Sequence, residues 1–266
     1  RRRLGGKIST MFFDTHAHLN DERFDEDREA FIASLPQNGV DNTCEIGFDI
    51  ESSKKAAQLA ERYDFIYAAV GVHPHDVENL CEDDMDTLRS LLKHNKVVAV
   101  GEIGLDYYYD NSPRELQKKW FAYQAELAKE LDFPIAVHTR DAMADTVEIL
   151  RDHGGGDGII HCYSGSVESA KILLNLGYYI SFAGPVTFKN ANSILDVVRY
   201  VPMERMLIET DSPYLAPVPF RGGRNCPVYV AEVAKKIAEV RGMSLEDVAR
   251  ITMQNAKKVY RIEQNL

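Results

Sequence analysis

The chain has 266 residues, of which 45% are hydrophobic and 27% charged, and its formal net charge is −10. That apolar fraction is ordinary for a globular core, and no apolar run reaches the roughly 18–20 residues that cross a membrane. The acidic balance excludes a surface that grips nucleic acid by bulk positive charge, although bound cations and a few arginines can make one cleft locally positive. Residues 1–10 carry three arginines and two glycines without an apolar signal core, and are read as an extension before a single domain spanning 11–266. The four cysteines, Cys44, Cys81, Cys162 and Cys226, are widely spaced with no C-x-x-C pair. They read as reduced thiols of a cytoplasmic protein.

Short β-branched or apolar runs then alternate with helical patterns. Strands are expected at Met11–Thr15, Asn42–Ile46, Phe65–Val70, Val97–Glu102, Ile135–His138, Gly158–His161, Tyr178–Phe182 and Met206–Glu209. Helices are expected at Glu51–Tyr63, Pro113–Leu131, Asp141–Asp152, Val167–Leu176 and Asn190–Tyr200, with Val228–Arg241 and Ser244–Val259 closing the chain. The acidic run Glu82-Asp83-Asp84-Met85-Asp86 reads as a solvated helix start. Strand–helix alternation implies parallel strands joined by right-handed crossovers. Without a linker or break in composition, the pattern predicts one TIM-like (β/α)8 barrel, with chemistry at the C-terminal ends of its strands.

The strand ends meet that demand. The first runs into His16-Ala17-His18, where residues two apart point to one side with Cα atoms roughly 6.5–7 Å apart. The third runs into His73-Pro74-His75, the fourth ends at Glu102, the fifth at His138-Thr139-Arg140, the sixth at His161, and the eighth leads to Asp211. Singly, each has a bland explanation: a solvated histidine, an ion pair between Glu102 and Arg140, or a turn shaped by Asp211 before Ser212-Pro213. Jointly they place mixed imidazole and carboxylate donors on one rim, the ligand set of a divalent metal. His94 and His153 fall at predicted helix ends and read as surface residues.

Six such ligands exceed a four-coordinate site and suit two divalent ions about 3.5–4 Å apart. Glu102 is the natural bridge. His16, His18 and Asp211 complete one ion, and His138 with His161 the other. A water acidified by the ions is the expected nucleophile, with Glu102 and Asp211 as the catalytic carboxylates and Asp211 accepting the proton. Zn, Mg, Mn and Fe all suit these donors.

The ordered motifs resemble the TatD family of metal-dependent deoxyribonucleases, within the amidohydrolase superfamily. The resemblance rests on Phe13-Asp14-Thr15-His16-Ala17-His18-Leu19-Asn20, Gly71-Val72-His73-Pro74-His75, Gly101-Glu102-Ile103-Gly104-Leu105-Asp106-Tyr107-Tyr108, His138-Thr139-Arg140, His161-Cys162-Tyr163-Ser164-Gly165 and Glu209-Thr210-Asp211-Ser212-Pro213-Tyr214. It extends to Arg221-Gly222-Gly223-Arg224-Asn225-Cys226-Pro227, where Gly223 stands before the basic residue that the family carries directly after Arg-Gly. It implies a TIM-like barrel, one or two divalent ions, and hydrolysis of DNA phosphodiester bonds, including 3′→5′ exonuclease action on single strands or ends. It also implies that His16, His18, Glu102, His138, His161 and Asp211 are the ligands, and that His73 touches the phosphate.

A phosphate needs donors beyond the metals, and Arg140, Arg221 and Arg224 join His73 in that expected role. Tyr107, Tyr108, Tyr109, Phe188, Tyr214 and Phe220 lie in the same loops, where bases can stack. DNA is the expected partner, with no membrane and no obligate protein partner. The competing readings are hydrolysis of a small ester, lactone, amide or phosphoester by the same centre, and a catalytically silent scaffold.

Overall fold

The protein is described here by a computed structural model covering residues 10–262. The extension expected at residues 1–10 lies, except for Thr10, outside the described residues. Eight parallel strands follow one another in sequence order: β1 Phe12–Ala17, β2 Val40–Ile46, β3 Ile66–Val70, β4 Val97–Asp106, β5 Ile135–Arg140, β6 Gly158–Ile160, β7 Tyr179–Phe182 and β8 Met206–Ile208. A bridge between Ala17 and Ser212 brings the last strand back to the first, so the sheet is a nearly closed TIM-like barrel.

The helices are α1 Arg28–Ser34, α2 Ile50–Arg62, α3 Glu82–Leu91, α4 Arg114–Glu130, α5 Met143–His153, α6 Val167–Asn175, α7 Asn192–Tyr200, α8 Val230–Arg241 and α9 Leu245–Val259. Local chemistry sets their starts. The Asp49 carboxylate accepts from Ser52 N–H, and the Ser52 hydroxyl oxygen accepts from Asp49 N–H, a reciprocal cap on α2. Ser244 caps α9 by accepting from Asp247 N–H at 3.1 Å. The acidic run from Glu82 opens α3 as expected. Helix α1 was not legible, because its seven residues are too short to display a helical period.

The pleat divides the core into two layers. Phe12, Val40, Ala68 and Val100 face the surrounding helices, while Phe13, Cys44, Ala69, Ala99 and Leu207 gather on the alternate face with Val259 and Tyr260. The Tyr260 hydroxyl donates to Thr15 O at 2.7 Å, tying the end of α9 to β1. All four cysteines are free. Among the described residues no helix is long and apolar enough to cross a membrane.

β4 runs four residues past its expected end at Glu102, to Asp106, and all ten of its residues are buried. Gly104 permits this: its φ of +145° suits glycine, and a Cβ there would meet His138 O at 1.9 Å. The two strands can therefore stay paired through Gly104 and His138 to Asp106 and Arg140. The extension carries a second carboxylate, Asp106, onto the rim beside His138.

Candidate metal centre and its cleft

The C-terminal end of β1 is pinned before it presents any side chain. Asp211 N–H donates to His16 O at 2.9 Å and His18 N–H to Ser212 O at 2.8 Å. Beneath them, the fully buried Asp14 accepts from His16 N–H at 3.2 Å and Thr210 N–H at 2.9 Å. Burial pushes its carboxyl up to about 8 despite those bonds. Glu45, from the end of β2, accepts from Leu19 N–H at 2.6 Å and Asn20 N–H at 3.0 Å, fixing the chain after His18. Asn225 donates to Thr210 O at 2.8 Å and Tyr214 O at 2.6 Å, holding the loop that carries Asp211.

Glu102 is at the centre, with its two oxygens serving different neighbours. Oε2 lies 3.4 Å from His16 Nε2 and 3.8 Å from His18 Nε2. Asp211 Oδ1 faces the same two nitrogens, at 3.6 and 3.4 Å. Oε1 lies 2.8 Å from His161 Nε2, 3.0 Å from His138 Nδ1 and 3.5 Å from His73 Nε2. One carboxylate thus divides the imidazoles into two sets, one holding His16, His18 and Asp211 and the other His138, His161 and His73.

Most of these rings have a partner on the far nitrogen. His18 Nδ1 is 3.0 Å from Ile46 O, His161 Nδ1 is 3.0 Å from Glu209 Oε1, and His138 Nε2 is 2.9 Å from Asp106 Oδ2. Acceptors in those positions keep N–H on the far side, so the nitrogen facing Glu102 is the one that can give up its proton and offer a lone pair to a cation, the arrangement of ligating histidines. His16 Nε2 is buried and makes no hydrogen bond, although both carboxylates lie near it. An orphaned buried nitrogen is costly, and a cation between it and the carboxylates would satisfy it. Ligand atoms within 4.8 Å of one another occur in three groups among the described residues: His16–His18–Glu102, His73–Glu102–His138, and His16–His161–Glu209. The donor set fits divalent metal.

The electrostatics agree. Burial opposes charge on Glu102, but His161, His73 and His16 outweigh it and hold the carboxyl well below its usual range. Burial likewise opposes charge on His161, yet Glu102 and Glu209 raise it well above an ordinary imidazole. His18 rises to about 9 because Asp211 and Glu102 overcome its burial. Burial wins at His16, aided by His161, and at His73, both of which are lowered. This buried cluster, rich in carboxylate, takes up cationic charge.

A cleft of about 550 Å³ opens above the centre, lined by Glu102, His138, Arg140, Tyr109, Asp211 and Tyr214 among others. Arg140 has its guanidinium 4.0 Å from the Tyr108 ring centroid and 5.0 Å from that of Tyr109, with no salt bridge among the described residues. The bland alternative for these two residues, an ion pair between Glu102 and Arg140, does not form.

The other expected phosphate donors are placed differently. Arg224 does not line the cleft. Its two terminal nitrogens each lie 2.7 Å from an Asp27 oxygen, an exposed fork that turns the side chain toward α1. Arg221 is also outside the cleft, 3.7 Å over the Phe188 ring. His73 lines the cleft but sits within the ligand cluster itself, 3.5 Å from Glu102 Oε1. Of the aromatic residues, Tyr109 and Tyr214 line the cleft, whereas Tyr107 is tied to Asp145 and Phe220 stacks on Tyr229 at 3.9 Å.

Asp106 and Glu209, which orient His138 and His161, were not assigned roles in advance. The available signal was a carboxylate at the end of an apolar strand, which is expensive to bury unpaired. The same signal marks Glu102, which follows the apolar run Val97–Val100. His94 and His153 pair with Glu61 and Glu126 away from the cleft, as surface histidines do.

The family model described as "TatD related DNase" matches residues 13–261. Over 254 residues the chain is 48% identical to "Uncharacterized metal-dependent hydrolase YabD" of Bacillus subtilis (strain 168), covering 95% of this chain and 100% of that protein. It is 38% identical to "Uncharacterized metal-dependent hydrolase YcfH" of Escherichia coli (strain K12), covering 94% of this chain and 96% of the relative. Among solved structures, YJJV, a TatD homolog from Escherichia coli K12, superposes with a TM-score of 0.89 at 32% identity, covering 95% of this chain and 98% of that one.

Proposed function

Because the chain belongs to the TatD-related DNase family of metal-dependent hydrolases, we propose that it hydrolyses DNA phosphodiester bonds, acting as a 3′→5′ exonuclease on single strands or ends. The observation that carries this reading is the divided carboxylate of Glu102, with separate donor sets on Oε2 and Oε1 at the floor of an open cleft. His16, His18 and Asp211 would hold one divalent ion, His138 and His161 a second, with Glu102 shared. Ions so held would acidify an attacking water and neutralise charge on the phosphate.

The chain's own groups supply the rest. Asp211, partly open to the cleft and kept anionic by His18 and His16 against its burial, accepts the proton of the attacking water. Arg140, held over two tyrosines without a carboxylate partner among the described residues, donates to a phosphate oxygen. Tyr109 and Tyr214 present ring faces or edges to the cleft, where a terminal base can pack. A cleft of about 550 Å³ is the size of a small-ligand site and suits one strand end better than a duplex.

The test is incubation of metal-supplemented protein with end-labelled single-stranded DNA, with and without chelator, comparing wild type with Glu102→Ala. Stepwise shortening from the 3′ end that depends on both metal and Glu102 is expected. No cleavage with Mg²⁺, Mn²⁺ or Zn²⁺ would remove DNA as the substrate. Turnover of a small ester or lactone by the same protein would then identify the substrate class instead.

A further inference from the structure

Asp106 is buried at the end of β4, four residues beyond Glu102. Four nitrogens surround its carboxylate. Oδ2 lies 2.9 Å from His138 Nε2 and 3.1 Å from His75 Nε2. Oδ1 accepts from Tyr108 N–H at 3.1 Å and Tyr109 N–H at 2.9 Å. Gln117 clamps the same residue from α4. Its Oε1 accepts from Asp106 N–H at 2.9 Å, while its Nε2 donates to Asp106 O at 3.2 Å and Ser112 O at 2.8 Å.

An ionised carboxylate has about four lone-pair positions and no donor, which matches this environment. It therefore requires N–H on Nε2 of both His75 and His138. The nitrogen of His138 left to take an ion is then Nδ1, the atom 3.0 Å from Glu102 Oε1. On its other side the same carboxylate holds the backbone of Tyr108 and Tyr109, the rings that carry Arg140 at the cleft wall. The direct route from the His138 ligand to that wall is one rigid, buried side chain.

We propose that Asp106 is a positioning residue that couples His138 to the Tyr108–Tyr109 wall, so that a divalent ion taken up at His138 orders the wall facing the substrate. This rests on the metal reading of His138 and is independent of DNA being the substrate. An amide at this position would satisfy the imidazoles or the backbone N–H groups, but not both.

Hydrogen–deuterium exchange across Tyr107–Tyr109 tests the coupling, with Mn²⁺ binding followed in parallel by calorimetry. In the wild type, saturating Mn²⁺ should slow exchange of these amides about tenfold or more. In Asp106→Asn, Mn²⁺ should bind about 10–100-fold more weakly, the usual cost of losing an outer partner of a ligand. Exchange in that variant should be faster and the same with and without saturating metal. Equal slowing in wild type and Asp106→Asn overturns the coupling, as does unchanged wild-type exchange on Mn²⁺ binding. Failure of the wild type to bind Mn²⁺ overturns it together with the metal reading of His138. If the variant does not fold, Zn²⁺ titration of the wild type by NMR decides. The Tyr108 and Tyr109 amides should shift in step with the His138 ring, and amides that stay still while the ring responds overturn the proposal.

Discussion

Glu209 Oε1 lies 3.0 Å from His161 Nδ1, and Glu209 has no exposure to solvent. His161 Nε2, on the opposite side of the ring, is 2.8 Å from Glu102 Oε1. The imidazole is held between two buried carboxylates, one orienting it and the other available to share an ion with it. Glu209→Gln keeps the shape but replaces the anion that makes His161 a stronger donor. Metal affinity should fall about 10–100-fold, and calorimetric titration with Mn²⁺ or Zn²⁺ checks this. Undiminished affinity would make Glu209 a packing residue only.

Removal of Glu102 acts on both donor sets at once. Glu102→Ala should lower the number of bound ions, as measured by elemental analysis after dialysis. Turnover should drop by at least two to three orders of magnitude, on the order of the loss of a principal electrostatic group. Retention of wild-type metal content would refute the shared-ligand assignment.

Asp211→Asn separates proton transfer from folding. The amide can still offer an oxygen to the His16–His18 side, so the fold and much of the metal content should persist. Loss of a general base costs about 10²–10⁴-fold in rate, and this should appear in kcat more than in KM. Unchanged kcat at saturating substrate would relieve Asp211 of the base role.

Metal binding should strengthen as pH rises. His18 is raised to about 9 by Asp211 and Glu102 against its burial, and His161 and His138 are also raised by their carboxylate partners. In the metal-free protein these rings keep protons to higher pH than an ordinary imidazole, so a cation must displace protons there. Affinity should increase from pH 6 toward pH 9, with proton uptake by the buffer on binding. Calorimetry in buffers of different ionisation enthalpy measures that release. A pH-independent affinity would show that the rings are already neutral.

The two arginines named together from sequence should behave differently. Arg140→Ala removes a charge that lines the cleft and should lower kcat/KM by about 10–100-fold, as expected for losing a charge-assisted hydrogen bond worth roughly 1.5–3 kcal/mol. Arg224→Ala breaks an exposed, solvent-screened pair with Asp27 and should change stability little and turnover little. Equal kinetic loss in both variants would require Arg224 to leave Asp27 and reach the substrate.

The order of strands and most helices was legible because each element carries its own periodicity. Strand runs such as Val97–Val100 and helices such as Arg114–Glu130 announce themselves over short stretches of chain. Strand ends followed from the same reading, and with them the positions of His16, His18, Glu102, His138 and His161 on one rim. The added length of β4 was hidden because Gly101, Glu102 and Gly104 interrupt the apolar run, and only pairing with His138 shows why a glycine continues the strand.

The amino-acid order by itself determined the barrel, its active rim and the kinds of donor on it, since these depend on local pattern and on the rule that parallel α/β barrels expose their loops at one end. Only the tertiary structure decided which oxygen of Glu102 faces which histidine, that Asp106 and Glu209 back His138 and His161, and that Arg140 reaches the cleft while Arg224 is held by Asp27. Those outcomes depend on side chains from strands and loops far apart in sequence meeting within a few ångströms, and the direction of a side chain and its competing partners are not encoded in residue type or spacing.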